Sequence, residues 1–206
     1  MYETRTSDSQ IPILKGKSIE RYAVTDTYWF DFRKDNITGR TVDRRKLGAS
    51  PKILIRKTGN RLIAAYDDSE TYPEQSLYFL FNNRSDLDFR FILGVLNSRL
   101  LGLYYRTRCL TNRRTFAQAK KADLDRIPLP PIALSVPADR MRHDRIVELV
   151  EEVLGLHKRL AAAKTARVRD ELHRQIVSAG DLIDRLVYEL YRLDRREVSY
   201  VERAMR

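Results

Sequence analysis

Apolar positions follow two regimes along this chain: short runs as far as about residue 131, then steps of three and four to the C-terminal end. In the first regime, Ile53-Leu54-Ile55 and Leu62-Ile63-Ala64-Ala65 flank a polar break centred on Gly59-Asn60. Apolar, β-branched runs on both sides of a Gly-Asn pair predict a β-hairpin, because both residues tolerate the positive φ of a tight turn. Residues 11–22 predict a short strand, a turn at Gly16 and a brief polar segment. Tyr28, Trp29, Phe30 and Phe32 predict a further strand or a core wall. Ser76-Leu77-Tyr78-Phe79-Leu80-Phe81 predicts a buried strand closed by Asn82-Asn83, and residues 123–131 a last short strand before a proline stop.

Helical periodicity first appears at residues 86–106, where Phe89, Ile92, Leu93, Leu96, Leu100, Leu103 and Tyr104 make one apolar face. Asn97-Ser98 in the middle are weak helix formers, read as tolerated for packing. Beyond the proline-containing stretch 128–137, Ile146, Leu149, Val153, Leu156 and Leu160 form a heptad seam. Leu172, Ile176, Ala179, Ile183, Leu186, Leu190 and Leu193 form a second. Two seams in one chain can satisfy each other as an antiparallel pair joined within residues 161–169. Asp194 and Glu197 have the spacing of a capping box opening a final helix to about Met205. The predicted fold class is therefore α+β: a flexible leader at 1–10, a β-rich domain with one packed helix at 11–131, and an antiparallel, coiled-coil-like helical arm at 132–206.

Charge sharpens this picture. The formal net charge is +11, and residues 1–131 carry 24 Lys and Arg against 15 Asp and Glu, whereas residues 132–206 carry 15 against 13. Residues 33–61 alone hold 10 against 2. A basic block of this kind is an electrostatic footprint for nucleic acid or, less readily, an anionic membrane surface. The membrane reading needs an amphipathic basic helix, and Gly39, Gly48, Pro51 and Gly59 predict that this block is not helical. No apolar run approaches the ~20 residues of a membrane span. The single cysteine, Cys109, rules out an internal disulfide and suggests a reducing, cytoplasmic setting; it reads as a small core residue.

Two basic segments mix cations with short hydrogen-bonding side chains. The hairpin tip carries Arg56, Lys57, Thr58, Asn60 and Arg61, and the second carries Thr111, Asn112, Arg113, Arg114 and Thr115. Arg and Asn can each make two hydrogen bonds to a purine edge, which makes these the candidate base-contacting sets. Arg44, Arg45, Lys46, Lys120 and Lys121 are candidates for phosphate. Solvated basic turns of an ordinary core fit the same residues, and the aromatics at 28–32 also suit a stacking platform for unpaired bases. No glycine-rich phosphate loop, no Asp/Asn-Pro-Pro-aromatic tetrad and no Glu-x-Lys is present. Asp67-Asp68 and Glu70 could hold magnesium but read better as a solvated strand end. No catalytic residue and no metal ligand is therefore assigned.

Five strings resemble one known family: Leu14-Lys15-Gly16-Lys17-Ser18-Ile19, Lys52-Ile53-Leu54-Ile55-Arg56-Lys57-Thr58-Gly59, Leu93-Gly94-Val95-Leu96-Asn97-Ser98, Leu124-Asp125-Arg126-Ile127-Pro128-Leu129-Pro130 and Leu186-Val187-Tyr188-Glu189-Leu190-Tyr191. In this order they resemble the TaqI-like C-terminal specificity domain of adenine-specific DNA methyltransferases and fused restriction–modification enzymes. The resemblance implies a non-catalytic module that holds duplex DNA for a methyltransferase domain or subunit, with S-adenosylmethionine expected only in that methyltransferase part. Two other readings are a protein-interaction module acting through the helical arm and a divergent magnesium-dependent nuclease using Asp67 and Glu70.

Overall fold

The computed structural model describes residues 1–37, 42–81, 86–111 and 117–205. Its centre is the three-stranded antiparallel sheet β4-β3-β6, formed by β3 (Lys52–Arg56), β4 (Ala64–Asp67) and β6 (Leu77–Leu80). The predicted hairpin is β3 and β4, paired from Lys52↔Asp67 to Ile55↔Ala64. The continuous apolar run of β3 reflects burial on both faces. Ile53 and Ile55 face a large core shared with the helices, whereas Leu54 packs with Leu14, Ile19, Ala65 and Leu77. Those contacts join it to the second sheet, β2-β1-β5, made of β1 (Gln10–Leu14), β2 (Tyr28–Asp31) and β5 (Tyr72–Pro73). Within residues 1–10, expected to be a flexible leader, Tyr2 exchanges two backbone hydrogen bonds with Trp29 of β2 (2.9 and 2.8 Å), the Ser9 hydroxyl donates to Asp31 at 2.9 Å, and Gln10 opens β1.

Lys52 is fully buried, yet its ammonium is satisfied three times: by Asp67 at 2.9 Å and by the carbonyls of Ala49 (2.8 Å) and Ser69 (3.1 Å). Asp67 also accepts from the Ser69 N–H and the Thr71 hydroxyl. A buried charge is tolerated when paired and hydrogen-bonded this completely. Asp67, offered above as a magnesium ligand, is thus occupied by a lysine of the neighbouring strand.

Three expectations need correction. The basic block does contain one helical turn, α1 (Arg44–Leu47), because the Asp43 carboxylate caps it, accepting from Arg45 N–H (3.0 Å) and Lys46 N–H (3.3 Å); Gly48 ends it. The helix expected at 86–106 is two, α2 (Phe89–Leu96) and α3 (Arg99–Tyr104), followed by a π turn at Tyr105–Cys109. Asn97-Ser98 breaks it. The buried Asn97 side chain accepts from Ala64 N–H (3.1 Å) and donates to Ala64 C=O (2.9 Å), and Ser98 caps α3. In place of a strand at 123–131 there is the single turn α4 (Lys121–Leu124), whose N–H and C=O groups are spent locally. Asn82-Asn83 lie outside the described residues.

The C-terminal region is α5 (Pro137–Ala162), α6 (Ala166–Leu190) and α7 (Arg195–Ala204). A three-residue connection folds α6 back along α5, and the Asp194/Glu197 capping box opens α7. The base of the pair belongs to the main core: Ile146, Val150 and Ile183 crowd Gly94 of α2, where an added Cβ would lie 2.8 Å from Ile146 Cγ2. Arg99 at the start of α3 ties this junction, reaching Asp181 (2.7 Å) and Asp184 (3.1 Å) of α6 and Glu202 (3.3 Å) of α7.

Candidate nucleic-acid interface

The connection after β3 is a seven-residue loop, 57–63, rather than a two-residue turn. Gly59 alone takes a positive φ, 120°, and Asn60 does not. The extra length is used for pairing. Lys57 N–H donates to Ser76 C=O (3.0 Å) on one side; on the other, Ala119 N–H donates to Lys57 C=O (3.0 Å) and Gly59 N–H to Ala117 C=O (2.9 Å). Thr58 bridges Gln118. Gln118 and Ala119 form β8 (Gln118–Ala119), which pairs with β7 (Leu110–Thr111). The hairpin loop and the strands bounding the second basic segment therefore share one end of the molecule. Asn112, Arg113, Arg114 and Thr115 lie outside the described residues, and Thr111 is placed in β7 by its backbone. Tyr78 and Tyr105 reinforce the join, their hydroxyls reaching Ala119 C=O (3.3 Å) and Gly59 C=O (3.4 Å).

Side chains on this end differ in freedom. Asn60 and Arg61 are exposed at the loop tip, and Lys120 is exposed beside β8. Lys121 is exposed but paired with Asp125 at 2.6 Å. The Lys57 ammonium lies 4.5 Å from the Tyr78 ring centroid, and partial burial pulls its pKa below the usual lysine value. Arg56 turns back and donates to Ile19 C=O, so it braces the loop against the Gly16 turn. Arg44, Arg45 and Lys46 sit elsewhere. Their helix precedes β3, so the length of that strand, about 15 Å, separates them from the hairpin tip. Arg44 stacks over Phe32 at 4.6 Å, and Lys46 lies 3.8 Å from Asp43.

Two lysines outside the expected set join the hairpin end. Lys15 and Lys17 flank Gly16 and, with Arg56, Thr58 and Gly59, line an open cleft of about 580 Å³. Their ammonium groups lie 4.1 and 4.9 Å from the Tyr28 ring centroid. The Lys-Gly-Lys spacing was visible in the sequence, but nothing there placed it against the hairpin. Tyr28 is thus half-buried under lysines, Trp29 lies 5.4 Å from the Arg5 guanidinium, and Phe32 packs on Tyr72. Cys109 is buried, and desolvation raises its thiol pKa, as in an inert core residue.

Compared with known proteins, residues 11–129 match the family model of the TaqI-like C-terminal specificity domain. The chain belongs to this family. No curated protein matches it by sequence. Among solved structures, the domain is similar to the Type IIL restriction-modification enzyme MmeI, solved in complex with DNA, with a TM-score of 0.61 and 12% identity. The similarity covers 93% of this chain and 29% of that one, so the fold extends through the helical region, and this specificity domain spans less than a third of the larger protein. The family-like strings meet in the fold: 14–19 and 52–59 through Arg56 and Ile19, and 93–98 with the hairpin through Asn97 and Ala64.

Proposed function

We propose that this specificity domain reads duplex DNA in a restriction–modification system and holds it for a methyltransferase domain or subunit, which would supply S-adenosylmethionine chemistry. The observation that carries the reading is the backbone pairing of residues 57–59 with 117–119, which brings the hairpin loop against the strand that follows the second basic segment. A rigid edge bearing exposed amide and guanidinium groups suits direct readout of base edges. Asn60, Arg61 and the segment 112–115 would face bases, Lys120 would meet phosphate, and Arg44, Arg45 and Lys46 would touch the duplex only along a longer footprint. Family membership and the resemblance to a DNA-bound restriction-modification enzyme support the same reading.

The test is a salt titration of binding to duplex DNA. With six to ten phosphate contacts, affinity falls by roughly 10³- to 10⁵-fold between 50 and 200 mM salt. A flat response removes the electrostatic basis of the proposal.

A further inference from the structure

We infer that the cleft beside the Gly16 turn is a seat for a backbone phosphodiester of the bound duplex, held by Lys15 and Lys17. This rests on the DNA-reading proposal and adds to it a second class of contact on the same edge. The turn is anchored at both ends: Leu14, Ser18 and Ile19 are fully buried, and the Gly16 N–H is donated to the Ser76 hydroxyl at 2.7 Å. The two side chains that rise from it bring their ammonium groups to one tyrosine ring. Among the described residues neither lysine is ion-paired. A hydrogen bond with the Tyr28 side chain, helped by Glu3 and Asp26, raises the pKa of Lys17, so this exposed ammonium stays charged.

The rest of the cleft favours a phosphodiester. Thr58 adds a hydroxyl at its edge and Arg56 a third cation, fixed on Ile19. Among the described residues Glu74 is the one carboxylate lining the cleft, and it is engaged by the Ser76 N–H (2.9 Å) and hydroxyl (2.5 Å). Lysine ammonium groups are point charges without a directional fork, so they hold phosphate without reading sequence. Because Ser76 bonds both the Gly16 turn and Lys57, a phosphate seated here fixes where the hairpin tip stands over the neighbouring base pairs.

The experiment compares the parent chain, K15A/K17A and K164A in binding titrations against a pool of random duplexes over a range of salt concentrations. Lys164 lies in the α5–α6 connection and serves as the control cation. The expected result for K15A/K17A is an affinity loss on the order of tenfold or more at 0.1 M salt, shared by all sequences. Its log–log salt slope should be shallower by about 2, one for each lysine that meets phosphate. The K164A slope should match the parent. A parent-like slope in K15A/K17A overturns the phosphate seat while leaving the DNA-reading proposal standing, and so does a loss confined to particular sequences. No binding by the parent overturns both. Lys17 is exposed, so the single variant K17A, expected to lose about one unit of slope, provides the same decision if the double variant does not fold.

Discussion

Asn97 stands at the break between α2 and α3, is 3% exposed, and satisfies the backbone of Ala64 twice. Truncating it leaves a buried N–H and weakens the satisfaction of a buried C=O, so Asn97→Ala should cost about 1–3 kcal/mol in chemical denaturation. An unchanged midpoint would mean that the junction is held by apolar packing alone. Asp184 makes a different prediction. Burial raises its carboxyl pKa from 3.8 to about 6, against the opposing influence of Arg99. The folded state therefore binds more protons than the unfolded chain between these values. The resulting stabilisation is full below pH 4 and is lost as pH rises through about 6. Relative to Asp184→Asn, the parent should lose on the order of 2 kcal/mol of unfolding free energy between pH 4 and pH 7. A pH-independent difference would contradict the assignment. At the proposed DNA-reading edge, Asn60→Ala and Arg61→Ala should relax discrimination at single base pairs by about 1–3 kcal/mol, whereas Lys120→Ala should weaken all sequences alike. Equal, uniform losses would show that the exposed tip does not read bases.

At the scale of elements, what could be read in the sequence followed from local physics. The β3–β4 hairpin was legible because its apolar runs are bounded by breakers, and α5 and α6 because their seams are long and regular. The capping box of α7 was legible for the same reason, since its hydrogen bonds span only three residues. The helix break at Asn97 was not, because its cause is Ala64, 33 residues away. Nor was the widened hairpin loop, whose added residues pair with a segment some 60 positions downstream. The seams also omitted Val150, which is fully buried because α2 approaches α5 at Gly94. Gly94→Ala tests that approach: a methyl 2.8 Å from Ile146 must push the helices apart, lowering stability by about 1–3 kcal/mol with the melting temperature as readout.

For the whole molecule, the core runs without interruption from the strands through α2 into the helical pair. Removing residues 132–206 would uncover Phe91 of α2, which lies on the His143 ring, and the face of α2 at Gly94, so such a truncation should aggregate or bind hydrophobic dye instead of giving a soluble reader. The α5–α6 pair, considered as a docking arm, is at its base a structural support for the sheet that carries the hairpin. The candidate site shows the same division. Its cationic character and the identity of its first loop were legible, but its assembly was not, because Lys15, Tyr28, Lys57 and Ala119 come together only through long-range pairing. Hydrogen exchange of the intact chain, with and without duplex DNA at low salt, tests that assembly most directly. Slowed exchange should appear together at residues 57–61 and 117–121, with the α5–α6 connection unchanged. Protection of one segment without the other, or of the helical pair alone, would contradict a shared DNA-reading edge.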